Sequence, residues 1–252
     1  MLPTLLLTGS EGYIATNFYE NYKKVFNFIK LDTKINKPIL EFNDFQSVQY
    51  IVHMGGNSGI AECDGHIDMS YINNVLSTLH LLRGIPIVIA SSQAAKNPKS
   101  GVYASTKRMC EVGGLYHNLD KNCVKLLRFA NVYGGTNFIG NKTSVVAQFL
   151  TNKLNNEPLQ ISGDGSQTRD FVHVIDVCSA IFLSLICNKR FVDPVDVGTG
   201  RETSINKIAS MISDNIQYSG KNSGAGSSVA DTLQLEKLTG FVPQNRIEEY
   251  LV

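Results

Sequence analysis

A tyrosine and a lysine four residues apart can make a base out of a phenol, and the segment GVYASTK (101–107) carries such a pair, Tyr103 and Lys107. On a helix, positions i and i+4 share a face, so the lysine can stand beside the hydroxyl or reach a ligand common to both. A free tyrosine titrates near 10 and is a poor base at neutral pH. An ammonium about 4 Å away at an effective dielectric of 20 is worth roughly 4 kcal/mol, the scale needed to make a phenol a working base. Such a tyrosine could take a proton from an alcohol while hydride leaves the same carbon. Ser92 closes the apolar run IPIVIASS (85–92) just upstream and could hydrogen-bond the same oxygen. Taken alone, Y-x-x-x-K is as well explained by a surface tyrosine and a solvated lysine, so the reading turns on what stands elsewhere in the chain.

The decisive companion lies near the amino terminus. TGSEGYIA (8–15) sets Gly9, Gly12 and Ala15 at G-x-x-G-x-x-A spacing, directly after one apolar run and at the start of one helical pattern. Small residues there let the chain turn tightly and let a pyrophosphate approach the helix N-terminus, where free N–H groups and the dipole favour negative charge. Asp32 closes the next apolar run, about 20 residues on, where an acid bonds the adenosine ribose hydroxyls and repels a 2′-phosphate. The pattern therefore favours NAD over NADP. The competing explanation, a glycine turn that serves packing alone, leaves the agreement of strand, spacing, helix and acid to coincidence.

These residues need a sheet to hold them. TLLLT (4–8), FNFIKLD (26–32), YIVHM (50–54), IPIVIASS (85–92), CVKLLRFA (123–130) and VDPVDVG (192–198) are apolar runs of strand length. Helical patterns lie between them at 68–83, 104–119 and 174–187, besides the one that begins at Tyr13. Runs apolar on both faces, alternating with helices, imply an α/β fold with a parallel, doubly wound sheet of the Rossmann type. Residues 141–171 and those after about 200 do not continue the alternation and are expected to form a smaller lobe. The boundaries expected are 1–132 with 171–199 for the dinucleotide-binding domain and 133–170 with 200–252 for the lobe. YSGKNSGAGSS (218–228) is rich in glycine and serine and reads as a flexible loop.

Composition narrows the partners. With 252 residues and 43% hydrophobic content the chain can bury a sizeable core. Its 23 Lys+Arg against 22 Asp+Glu provide no field that would gather nucleic acid or anionic lipid, so a small-molecule ligand is expected, with no nucleic acid and no membrane partner. The five cysteines are odd in number and scattered, without C-x-x-C, which indicates neither a disulfide framework nor a metal site and suits a reducing cytoplasm. MLPTLLLTG lacks a basic n-region and turns too early for a signal or a span. His66, His80, His117 and His173 show no metal-ligand spacing and are expected to serve packing or face solvent.

Read end to end, the chain resembles the extended short-chain dehydrogenase/reductases, specifically the NAD-dependent epimerase/dehydratase family that acts on nucleotide sugars. TGSEGYIATNF resembles that family's TGGxGFIGxxL, IVHMGGNSG its ViHlAAxsg, and NNVLSTLHLL its NvxGTxnLL. IVIASS with VYASTKRMCE resembles its S…YxxxK…E, LLRFANVYGG its lRfxNVYGp, and ISGDGSQTRDFVHVIDV its GdGxqtRdFvhVdDv. DVGTGRETSINKIA and ADTLQLEKLTGFVPQ resemble its closing motifs. The resemblance implies Ser92, Tyr103 and Lys107 as the catalytic residues, with Lys107 also bonding the nicotinamide ribose. Gly9, Gly12, Tyr13, Ile14, Asp32 and the strand-end Gly55 would line NAD. Asn131 would contact the substrate, a nucleotide-diphosphate sugar, and Arg169 would grip its diphosphate, as a bidentate guanidinium does well. His53 matches a structural histidine. A homodimer built on the helices near 68–83 and 104–119 is also implied.

The departures shape the expected activity. The chain is shorter than is usual after Asp32, between Ser92 and Tyr103, and around 214–230. Gln93 and Ala94 stand where the family's 4,6-dehydratases carry an Asp-Glu pair, which disfavours elimination; Gln93 and Asp32 also speak against the GDP-fucose synthase type, with its cysteine and its preference for NADPH. Epimerisation at C4 needs neither a second carboxylate nor a Cys/His couple. The expected activity is thus a cytoplasmic, NAD-dependent C4 epimerase. The alternatives are a dehydratase, reductase or decarboxylase on the same scaffold, or a non-catalytic NAD-binding sensor. Replacing Asp32→Ala should weaken NAD binding and relax discrimination against NADP; titrating both dinucleotides checks this, and an unchanged preference would remove the assignment.

Overall fold

The computed structural model describes residues 1–121, 123–139, 141, 143–220 and 227–251, so 221–226 of the expected glycine-serine loop lie outside the described residues. The chain opens with β1 (Thr4–Thr8), α1 (Tyr13–Tyr22) and β2 (Asn27–Leu31), then continues through β3 (Tyr50–His53) to a helical stretch. That stretch comprises α2 (Ile60–Gly65), α3 (Ile67–Ser70), a widened π segment (Tyr71–Leu76) and α4 (Ser77–Leu81). After it come β4 (Ile87–Ser92), α5 (Val102–Lys121), β5 (Val124–Phe129) and β6 (Asn131–Tyr133). The rest runs α6 (Val145–Leu154), β7 (Leu159–Ile161), β8 (Thr168–Arg169), β9 (Phe171–His173), α7 (Val174–Ile186), β10 (Val195–Val197), β11 (Thr203–Ser204), α8 (Ile205–Ile212), β12 (Ile216–Tyr218), α9 (Leu233–Thr239) and α10 (Ile247–Leu251).

Six strands form one parallel sheet in the order β10-β5-β4-β3-β1-β2. Leu5, Leu6 and Leu7 are all fully buried, although successive side chains point to opposite faces. Both faces of β1 are therefore covered, and each leucine contributes about 1.5–3 kcal/mol. Leu5 and Leu7 pack with α1 and α7 through Phe18, Val177 and Ile181, whereas Leu6 packs on the other face with Ile51, Leu81 and Ile89. From β1 the chain steps to β2 on one side and returns to β3 on the other. The order reverses there, which opens a crevice at the carboxyl ends of β1 and β3. A second apolar cluster, built on Tyr133, Phe138, Phe149, Ile161, Ile208 and Ile212, binds α6, β7 and α8 together.

The expected helix over 68–83 differs in form: helical structure begins at Ile60 and widens at Tyr71–Leu76. The cause is local. The Asn74 carbonyl accepts both the Thr78 hydroxyl (2.6 Å) and the Cys110 thiol (3.2 Å), which draws it out of the regular ladder. The Asn74 side chain accepts from the Asn57 N–H at 2.7 Å and donates to Thr106 Oγ1 at 3.0 Å, which ties the loop after β3 to α5.

Two buried polar groupings hold the sheet to its helices. Glu111 of α5 is fully buried and accepts a two-pronged contact from Arg128 of β5 (2.7 Å at each oxygen), one from Arg108 (3.0 Å) and one from the Ser91 hydroxyl (2.7 Å). Such a carboxylate is tolerable only because every oxygen is engaged. The second grouping is a directional chain. The Thr78 proton is spent on Asn74 or on the Cys110 sulfur (3.3 Å), so His53 Nε2 must donate to Thr78 Oγ1 (2.9 Å). His53 Nδ1 then accepts from Thr8 Oγ1 (2.7 Å), which itself accepts from the Gly55 N–H (3.2 Å). Neutral imidazole, one nitrogen donating and one accepting, is the only form that fits.

Burial, reinforced by the Lys107 ammonium, pushes His53 down from 6.5 to about 3. The unfolded chain thus binds a proton between those two values that the folded chain refuses. Stability is complete above the ordinary histidine value and falls as pH drops from 6.5 toward about 3, by at most about 1.4 kcal/mol per pH unit. Urea unfolding at intervals from about pH 7 to 4 should show this acid slope, and His53→Gln should flatten it by up to one proton; an identical slope in the variant would contradict the role given to His53.

Candidate active site

The crevice between β1 and β3 exists because two backbones meet without side chains. Gly9 has φ +64, and a Cβ there would lie 2.7 Å from the Gly55 nitrogen. Only glycine satisfies both the left-handed backbone and the approach. The Gly12 N–H returns to the Gly9 carbonyl at 2.9 Å and leads into α1. No side chain caps α1, and its first turn holds no acid, so the N–H groups at its start are left for an anion. Asp32, just beyond β2, accepts from the Glu11 N–H (3.0 Å) and the Lys34 N–H (2.9 Å). These two bonds fix the carboxylate beside the glycine turn and leave further lone pairs for hydroxyl donors. The side chains of Tyr13 and Ile14 are otherwise committed. The Tyr13 hydroxyl donates to the Gly134 carbonyl at 2.5 Å, its ring lies 5.6 Å from that of Phe138, and Ile14 packs on the core. What these two residues present to the crevice is the backbone of the first helical turn. A dinucleotide fits this cradle by shape and by charge.

Beside it, β4 ends at Ser92, whose oxygen accepts from the Ala94 N–H at 3.2 Å and keeps its own proton to donate. Tyr103 stands in the first turn of α5, half-buried, and Lys107 stands one turn further along. Lys107 Nζ donates to the Ala90 carbonyl at 2.8 Å and lies 6.0 Å from the centre of the Tyr103 ring. The lysine therefore hooks α5 to the strand two residues before Ser92. The connector between Ser92 and Tyr103 consists of two short 3-10 turns, Gln93–Lys96 and Pro98–Ser100. It is pinned at both ends: Lys96 pairs with the buried Asp196 of β10, and the Val102 N–H bonds Asp64 at 3.1 Å.

On the far side, β6 pairs with β9 and carries Asn131, an exposed residue whose amide reaches the Asp170 carbonyl at 3.3 Å. Arg169, half-buried in β8, donates to the Thr168 carbonyl at 2.6 Å, and burial pulls its guanidinium below the usual value. Asp170, next to it, is buried and accepts from the Thr199 N–H and hydroxyl, the Gly200 N–H and the Ala230 N–H. Asp164 takes the Ser166 N–H and hydroxyl.

Gly9, Gly55, Ser92 and Asn131 follow or close β1, β3, β4 and β5, four neighbouring strands whose carboxyl ends span roughly 15 Å. Tyr103 and Lys107 join them through the Ala90 contact. Three features escaped sequence reasoning: the Asn57–Asn74–Thr106 tie, the Lys96–Asp196 pin, and the collection of backbone N–H groups on Asp170. The only advance signal was polarity, at Asn74, Thr106, Asp170 and Asp196, which then proved buried.

Comparison with known proteins agrees with this architecture. The model of the NAD dependent epimerase/dehydratase family matches residues 9–194. A putative UDP-glucose 4-epimerase from Methanocaldococcus jannaschii is 27% identical over 259 aligned positions, covering 86% of this chain and 84% of the relative. A UDP-glucuronate 4-epimerase from Thermodesulfobacterium geofontis is 24% identical, covering 90% and 77%. Among solved structures, UDP-N-acetylglucosamine 4-epimerase from Methanobrevibacter ruminantium, in complex with UDP-N-acetylmuramic acid, superposes with a TM-score of 0.88 at 22% identity, covering 99% and 96%. The UDP-glucuronic acid 4-epimerase from Bacillus cereus, with UDP-glucuronic acid and NAD, gives 0.86 at 19% identity, covering 98% and 96%. A family match over most of the chain, on the strands and turns described above, places it in the NAD-dependent epimerase/dehydratase family.

Proposed function

We propose that the protein is an NAD-dependent nucleotide-sugar epimerase that inverts the sugar C4 through a 4-keto intermediate. The observation that supports it best is the hook of Lys107 on Ala90, which sets a tyrosine-lysine turn against the end of β4 beside the glycine crevice. Bound NAD supplies the reversible hydride acceptor that lets a C4 alcohol pass through a ketone and back. Tyr103 takes the C4 hydroxyl proton and returns it; the Ser92 hydroxyl donates to the same oxygen; and the Lys107 ammonium favours negative charge on the phenol oxygen. Gly9, Gly12 and the first turn of α1 receive the pyrophosphate of the dinucleotide, and Asp32 receives the adenosine ribose. Residues 1–132 with 171–199 form the NAD side, and 133–170 with 200–252 form the sugar-nucleotide side. There Arg169 holds the diphosphate and Asn131 contacts the substrate. The named relatives act on UDP-linked sugars, which supports uridine diphosphate as the carrier.

The same reading makes the protein a cytoplasmic homodimer. All five cysteines are free, and no helix among the described residues is long and apolar enough to cross a membrane. The helices split their apolar residues. Val75 is buried, whereas Leu76, Leu79, Met109, Val112, Tyr116 and Leu119 are exposed. At Gly113 an added Cβ would lie 2.8 Å from Leu79, so α4 and α5 touch and their exposed residues make one face, suited to the same face of a second copy.

Tyr103→Phe should abolish conversion of UDP-glucose, UDP-N-acetylglucosamine and UDP-glucuronate, assayed by separating the epimers, while NAD stays bound by mass spectrometry. Retained turnover, or a 4-keto-6-deoxy product from the wild type, would contradict the mechanism. Light scattering should report a dimer that Val112→Glu converts to monomers; a monomeric wild type would remove the interface.

A further inference from the structure

Lys125 breaks the pattern of its strand. It lies in β5 opposite Val88 and shares a sheet face with Leu127 and Phe129, both of which pack in the main core. It is only 5% exposed, yet among the described residues no hydrogen bond or ion pair engages its ammonium. Its stem is buried while its ammonium keeps a small opening to the space beside it, and among the described residues no carboxylate acts on that charge. Burial pulls it below the ordinary lysine value, and the Cys187 and Cys123 thiols offset this in part. The last turn of α7 offers about half a negative charge at most.

The lysine lines a pocket of about 320 Å³ together with Tyr50, Pro86, Leu185, Ile186 and Asn188, among others. These residues stand at the amino ends of β3 and β4 and at the end of α7. The pocket is thus about one strand length, roughly 15–20 Å, from the carboxyl edge that carries Ser92. A water's share of liquid is about 30 Å³, so the space takes about ten waters or one small organic molecule. One ammonium balances one negative charge, the Asn188 amide adds a second donor, and Pro86, Leu185 and Ile186 offer an apolar wall. A phosphate dianion would leave one charge unbalanced.

We propose that this pocket, at the pole opposite the active site, binds a small organic monocarboxylate, with Lys125 as its counter-charge and the apolar wall receiving its hydrocarbon body. The complex completes an ion pair of which the folded chain supplies only one half. Calorimetric titration of the full chain with hexanoate and with its neutral isostere hexanamide tests this. Hexanoate should bind one to one and at least ten-fold more tightly than hexanamide. Lys125→Met, which keeps the buried stem, should erase the difference, and Lys125→Arg should retain part of it. A second measurement uses the wild type alone: hexanoate should slow acetylation of Lys125 by an activated acetyl ester at least five-fold, read by peptide mass spectrometry, without protecting exposed lysines. Equal binding of the two compounds, a preference that survives Lys125→Met, or unprotected Lys125 would overturn the proposal and leave a lysine whose stem is buried and whose head is met by water alone.

Discussion

The close approach of Gly9 to Gly55 is the constraint on which the rest of the candidate site depends. Two parallel strands end side by side, and the chain leaves each by a turn that must clear the other; a Cβ on Gly9 would sit 2.7 Å from the neighbouring backbone. Because that contact is made by backbone alone, its position is set by whatever fixes the Gly55 N–H. The chain Gly55–Thr8–His53–Thr78–Asn74 does so, running from the crevice through the sheet to the widened turn before α4. The Thr78 proton can go to the Asn74 carbonyl or to the Cys110 sulfur (3.3 Å), and in either case Thr78 accepts from His53, so the direction of the chain at the crevice is kept. The floor of the crevice is therefore held by hydrogen bonds as well as by packing.

A second constraint acts on the neighbouring strand. Lys107 places its charge on the Ala90 carbonyl, and Glu111, one turn later on α5, gathers Arg128 of β5 and Ser91 of β4. One helix thereby grips two adjacent strands through consecutive turns. The orientation of Tyr103, one turn before Lys107, follows from that grip. Polar groups in the core have a structural consequence here: they set the rotation of α5 about its axis, which apolar contacts alone would leave loosely determined.

Much of this fold could be read from the sequence because it is encoded locally. TLLLT, IPIVIASS and CVKLLRFA announce strands covered on both faces, and their boundaries fall within two residues of those found. Glycine spacing and the placing of Asp32 are equally local. What escaped was long-range. The widening at Tyr71–Leu76 arises from Cys110 and Thr78 competing for one carbonyl, and Cys110 is 36 residues from Asn74. Asp170 collects donors 29 to 60 residues away, and Lys96 finds Asp196 at a separation of 100. Periodicity reports which face a residue occupies. It is silent on which buried polar group will meet which.

The short connector after Ser92 shows what such pairing achieves. A path of ten residues from Ser92 to Tyr103 would swing freely if it behaved as surface loops do. Instead the Ser92 oxygen caps its first turn, and Lys96 reaches Asp196, whose same carboxylate oxygen also accepts from the Asp231 N–H at 3.0 Å. The residues just before Asp231 are fastened in turn to Asp170 through the Ala230 N–H and through the bond from the Asp170 N–H to the Ser228 carbonyl. Two buried aspartates thus join the serine connector, the last strand of the sheet and the strand that carries Arg169 into one continuous network. A longer loop can position itself by its own packing; a shortened one has too few apolar residues for that. Here charge takes over the task, and the geometry of Ser92 is inherited from Asp196 and Asp170, two residues that lie inside sequence motifs but whose partners no local pattern marked out.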